Sequence, residues 1–112
     1  MTKYKSVKTE VNGINFASKK EANRYMELLT LEKHGDIYGL EFQVPFELQP
    51  KFKINGKTVR AIKYVADFVY FDRKKKIHVE DVKGYRNGTA YQVFKIKKKL
   101  FEYKYKIEVE EI

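Results

Sequence analysis

YVADFVYFDRKKKIHVEDVKG, residues Tyr64–Gly84, decides the reading of this chain. Tyr64–Phe71 and Lys76–Lys83 are rich in β-branched and aromatic residues, and the polar Asp72-Arg73-Lys74-Lys75 lies between them. That composition predicts two strands joined by a tight turn. A turn centred on Lys74 would pair Phe71 with Ile77, Val69 with Val79, Asp67 with Asp81 and Val65 with Lys83. Side chains alternate along a strand, so all eight are expected on one face. A slip of one residue would set Val69 against His78 and Phe71 against Lys76, a poorer apolar match. In the better register two carboxylates meet at the end of an apolar stripe, with an ammonium one pleat further on. Like charges across a ladder repel, and a buried carboxylate needs a partner or a metal. A divalent cation would answer both objections.

The rest of the chain builds outward from that hairpin. Asn12-Gly13 and Asn55-Gly56 both suit type I′ turns. The first predicts a short hairpin from Thr9-Glu10-Val11 to Ile14-Asn15-Phe16, and the second turns Lys51–Ile54 back into Lys57–Phe71. Ser18-Lys19-Lys20-Glu21 fits a capping box. Ala22, Tyr25, Met26, Leu28, Leu29 and Leu31 then recur at helical spacing until Gly35. Over Ile37–Leu48 apolar residues alternate with Glu41, Gln43, Pro45 and Glu47, as in a half-buried strand, and Pro45 points to a sheet edge or a bulge. Thr89-Ala90-Tyr91-Gln92 reads as a second capping box. It would open a helix to about Lys104 with Val93, Ile96, Leu100 and Tyr103 as its apolar face. Lys106–Ile112 alternates again, and a strand after a helix crossover can lie parallel to its neighbour. The order indicates one domain over residues 1–112, α/β or α+β, with helices flanking a central mixed sheet.

Composition narrows the partner. Lys and Arg total 24 against 15 Asp and Glu, a net charge of +9 on 112 residues, which favours a polyanion, nucleic acid first. No apolar run approaches a membrane span and no secretory signal is evident, so no membrane is expected as partner and the expected location is the cytoplasm. With no Cys, disulfides, thiolate zinc sites and cysteine nucleophiles are excluded. Two aligned carboxylates and a lysine suit metal-assisted phosphodiester hydrolysis. Asp67 and Asp81 would hold Mg²⁺ or Mn²⁺, and Lys83 would orient water or stabilise developing charge. The plainer reading is a surface hairpin whose Asp81 and Lys83 form an ordinary ion pair. Apolar Val65 and Val69 beside Asp67 speak against it. A noncatalytic nucleic-acid-binding protein is the alternative of a second class, for which charge and aromatics suffice. A structural module is the third, and it leaves the acid-acid-lysine set unexplained.

At these residues the chain resembles the PD-(D/E)xK nuclease superfamily. Asp67 matches its first acid and Asp81-Val82-Lys83 its acid-x-Lys tripeptide, while Ala66 stands where the Pro of the name would be. The pattern from Phe16-x-Ser18-Lys19-x-Glu21 through Glu80-Asp81-Val82-Lys83-Gly84 is similar to small phage-encoded nucleases of that superfamily, and archaeal Holliday-junction resolvases share the architecture. The resemblance implies a restriction-endonuclease-like core and a DNA endonuclease in phage replication, recombination or processing within a bacterial host. Cleavage would be structure-selective, of the Holliday-junction kind, or nonspecific. It implies a metal-ligand role for Glu21, which a helix cap explains equally well, and ranks Glu80 below Asp81 because parity turns Glu80 away. Tyr85, Arg86, Gln92, Lys95, Lys98 and Lys99 become expected DNA contacts, with capping or solvation as the bland account of Gln92 and the lysines. His34 and His78 are expected to be structural or exposed. A symmetric homodimer is compatible with the aromatic content.

Overall fold

The computed structural model of the chain describes residues 8–84 and 86–112. Among the described residues, eight strands and two helices follow in the order β1 (Thr9–Val11), β2 (Ile14–Phe16), α1 (Lys19–Lys33), β3 (Ile37–Gln49), β4 (Phe52–Ile54), β5 (Lys57–Val59), β6 (Ile62–Asp72), β7 (Ile77–Asp81), α2 (Thr89–Tyr105) and β8 (Val109–Glu111). The central sheet runs β3-β6-β7-β8; its first three strands are antiparallel and β8 lies parallel to β7. The fold is α+β, a mixed central sheet flanked by two helices. Among the described residues no helix is long and apolar enough to cross a membrane.

Local chemistry explains most boundaries. Asn12 and Gly13, then Asn55 and Gly56, take the positive φ values that a type I′ turn demands. Ser18 caps α1 by accepting from the Glu21 N–H at 3.1 Å, and Gly35 follows the helix at φ +79°. Pro45 sits on β3, the edge strand, where a missing N–H costs least. Asp72 builds the central turn: its Oδ1 accepts from the Lys74 and Lys76 N–H groups. The register is the expected one at Phe71↔Ile77 and Val69↔Val79.

Five expectations need correction. The ladder between β6 and β7 stops at Phe68↔Glu80, so Asp67–Asp81 and Val65–Lys83 are not ladder pairs. Asp67 instead takes the Val82 N–H on its own carboxylate at 2.7 Å, while the end of β7 turns to the chain terminus through Lys83 N–H to Ile112 O. Nor do the eight residues share one face: Val69 and Val79 are buried under α2, whereas Val65 is exposed. Residues 57–71 do not form one strand either, because β4 and β5 pair only with each other as a separate two-stranded ladder. In α2, Thr89 is already helical and Gly88 occupies the cap without a side-chain bond.

The fifth correction concerns which side of α2 is buried. Val93, Ile96, Leu100 and Tyr103 are exposed, Tyr103 to 76%. Phe94 and Phe101 are buried in their place. Their rings offer more apolar area than the aliphatic stripe beside them. Phe101 packs at 4.9 Å from the Phe46 ring and 5.4 Å from Tyr64.

Two cores result. Ala22, Tyr25 and Leu28 of α1 cover Phe16, Ile37, Phe68 and Tyr70 on one side of the sheet. Phe94 and Phe101 of α2 cover Tyr64, Ala66, Val69, Val79 and Val109 on the other. His78 bridges the sheet's far end, its ring within 2.7 Å of Glu110 and 2.8 Å of Asp72 and stacked on Tyr70. That is a structural role, remote from Asp81.

Candidate metal centre

The site lies where β6 and β7 part. Tyr64 and Ala66 pack into the α2 core, yet Phe68 and Tyr70, of the same parity, pack into the α1 core. On β3, Phe42 meets the Phe16 and Tyr25 rings under α1, whereas Val44 and Phe46 join the α2 core. Both strands therefore exchange faces between these positions, and the residues at the exchange are Gln43 and Asp67. Gln43 holds φ +52°, the left-handed region that a side chain disfavours. The interrupted pleat releases Asp67 from both cores and opens a cleft at the N-terminus of α1.

That cleft has a volume of about 350 Å³, and its walls include Glu21, Asp67, Asp81 and Lys83. The four residues expected to carry chemistry thus come together from α1, β6 and the end of β7. Asp81 is only 5% exposed. Its Oδ2 accepts from the Tyr64 hydroxyl at 2.7 Å, and its Oδ1 pairs with the Lys83 Nζ at 2.7 Å. Lys83 also stands 3.5 Å from the centre of the Phe94 ring, which fixes the ammonium against a negative π face. Glu21 is buried at the helix start and lines the cleft; its carboxylate meets the Ala17 backbone and, at 3.4 Å, the Gln43 amide. Glu80 points to the opposite side, to Arg24 and Tyr70, as its parity requires.

Electrostatics record the crowding of acids. Burial, then the Asp81 charge, push Asp67 up to about 7 against the lowering effect of the Val82 N–H. Glu21 is also raised, by burial first and by Asp81 last. Tyr64 is raised far enough, by burial and by Asp81, to remain a donor. Since Asp67 is raised above its unfolded value of 3.8, its contribution favours folding at acid pH and is lost as pH rises through about 7. Asp67→Asn should therefore stabilise the cation-free protein at pH 8 by on the order of 2 kcal/mol, moderated by solvent in the open cleft. At pH 3.5 it should change little. Urea midpoints at the two pH values check this, and equal shifts at both would contradict it.

Oxygen donors of this kind fit a hard divalent cation: carboxylates of Glu21, Asp67 and Asp81 edge one cleft, and the Asp81 charge raises the proton affinity of the other two. Among the described residues no three acidic or histidine side chains converge into a finished cage. Tyr64 and Lys83 draw Asp81 toward α2, whereas Gln43 and Val82 hold Asp67 on the side of α1.

The residues expected to touch DNA scatter more widely. Tyr85 lies outside the described residues. Lys98 and Arg86 pair with Glu111 on β8, at 2.8 and 3.5 Å. Gln92, Lys95 and Lys99 are exposed on α2. Sequence reasoning missed Gln43, Tyr64 and Lys20, although Lys20 lines the cleft and donates to the Lys83 carbonyl at 2.7 Å. Tyr64 carried a usable signal: it stands three residues before Asp67 in an aromatic strand, and a buried tyrosine needs an acceptor.

No curated protein and no solved structure matches the chain. A family model does match, over residues 1–111, and the chain accordingly belongs to the family described as Protein of unknown function (DUF1064).

Proposed function

We propose that this protein is a Mg²⁺- or Mn²⁺-dependent DNA endonuclease, structure-selective or nonspecific, serving phage DNA replication, recombination or processing in the bacterial cytoplasm. One observation carries the reading: Glu21, Asp67 and the Asp81-Val82-Lys83 segment, separated in sequence, line a single cleft on a chain of net charge +9. Glu21, Asp67 and Asp81 would hold the cation. When bound, the cation supplies acidification of water and neutralisation of charge on the phosphate. Lys83, 2.7 Å from Asp81, would supply the positive donor that offsets charge gained by a phosphate oxygen. Lys20 at the cleft wall and exposed Lys95 and Lys99 attract the phosphate backbone, which orients DNA without reading sequence.

The test is cleavage by the purified chain of four-way junction, flap, duplex and single-stranded DNA, with Mg²⁺, Mn²⁺ or chelator. Cleavage that needs either cation and stops with chelator is the expected result. Salt-sensitive binding to all four substrates without cleavage under any condition would replace the nuclease by a noncatalytic nucleic-acid-binding protein.

A further inference from the structure

We infer that Gln43 is a positioning residue of the metal centre: its amide holds the carboxylates of Glu21 and Asp67 in place to receive the cation. The inference rests on the nuclease reading and adds a residue to it. Gln43 Nε2 donates to Glu21 Oε2 at 3.4 Å and to Asp67 Oδ1 at 3.3 Å. Both partners are acceptors when ionised, so the nitrogen end of the amide must face them. Asp67 Oδ2 is already engaged by the Val82 N–H at 2.7 Å. Gln43 thus completes a set of directional bonds that orients Asp67 and ties it to the helix carrying Glu21.

The backbone gives independent support. Gln43 sits at φ +52° inside β3, opposite Asp67 in the register between Phe42↔Phe68 and Val44↔Ala66. Glycine would take that conformation without strain, and asparagine with less. A glutamine there accepts a conformational cost of order 1 kcal/mol, which its reach to two carboxylates offsets. Neutrality matters as much as reach. A lysine would compete with the cation as a charge, and a glutamate would add a further repelling group.

Gln43→Gly and Gln43→Leu separate side chain from backbone. Glycine suits the positive φ, so the cation-free Gly variant should unfold at the wild-type temperature or above it. Leucine keeps bulk and the backbone cost but has no donor. Calorimetric titration of the full chain with Mn²⁺ should give a Kd raised about 10-fold or more in both variants, the usual scale for losing a group that orients ligands. Cleavage should recover toward the wild-type rate at saturating Mn²⁺, a behaviour that loss of fold would not produce. Wild-type or tighter Mn²⁺ binding in both variants, with Asp67→Ala losing it, would overturn this role for Gln43 and leave the metal centre standing. Equal Mn²⁺ binding by wild type and Asp67→Ala would remove the metal centre itself, and the role of Gln43 with it.

Discussion

Asp81→Asn should lower DNA cleavage by about 10³-fold or more while DNA binding in chelator stays intact or tightens. The substitution is nearly isosteric, and its carbonyl can still accept from the Tyr64 hydroxyl that holds Asp81 Oδ2 at 2.7 Å. What disappears is the charge that pairs with Lys83 and would bind the cation. Removing a negative group from a cleft that meets phosphate also relieves repulsion, hence the tighter binding. Asp67→Asn should behave alike, and the double variant should be little worse than either single, because ligands of one ion fail as a unit. Single-turnover cleavage rates and anisotropy titrations read the two effects separately. Wild-type cleavage by Asp81→Asn would detach the chemistry from this cleft.

Much of this geometry was legible in the sequence. The turn at Asp72, the register Phe71↔Ile77 and the Ser18 cap each depend on neighbouring residues, so local rules suffice. The parallel placement of β8 follows from a helix crossover. The exchange of faces at Gln43 and Asp67 was not legible. Parity assumes an unbroken pleat, and one residue at φ +52° resets it for everything beyond. That is why Val65, expected on the apolar face, is exposed and Asp67 turns into a cleft.

The buried side of α2 failed for a different reason. Val93, Ile96, Leu100 and Tyr103 form one helical stripe, and Phe94 and Phe101 belong to the next, only about 100° away. Both satisfy the period. The choice between them is made by what waits on the sheet, where Phe46, Tyr64 and Lys83 receive the rings.

Arg24→Met should destabilise the protein by about 3–5 kcal/mol, a large part of the ~5–15 kcal/mol available to a domain of this size. Glu80 is 0% exposed, with Arg24 as its cationic partner in a two-bond fork: Nε to Oε1 at 2.8 Å and Nη2 to Oε2 at 2.6 Å. The Tyr70 hydroxyl donates to Oε2 as well. Take away the guanidinium and a carboxylate remains inside the protein with one neutral donor. The cost comes from the abandoned charge more than from the lost bond, so Arg24→Met with Glu80→Met should recover most of the stability. Urea unfolding of the two variants measures this, and a loss below about 1 kcal/mol in the single variant would contradict it. The pair also joins α1 to β7 one turn beyond Glu21 and one residue before Asp81. It is the fastening that keeps the helix carrying one acid against the strand carrying another. The double variant tests that link: apolar packing can restore stability without restoring the directed fork. Stability regained with Mn²⁺ affinity still lowered would show that the fork aligns the two acids, and affinity regained along with stability would assign the pair to folding alone.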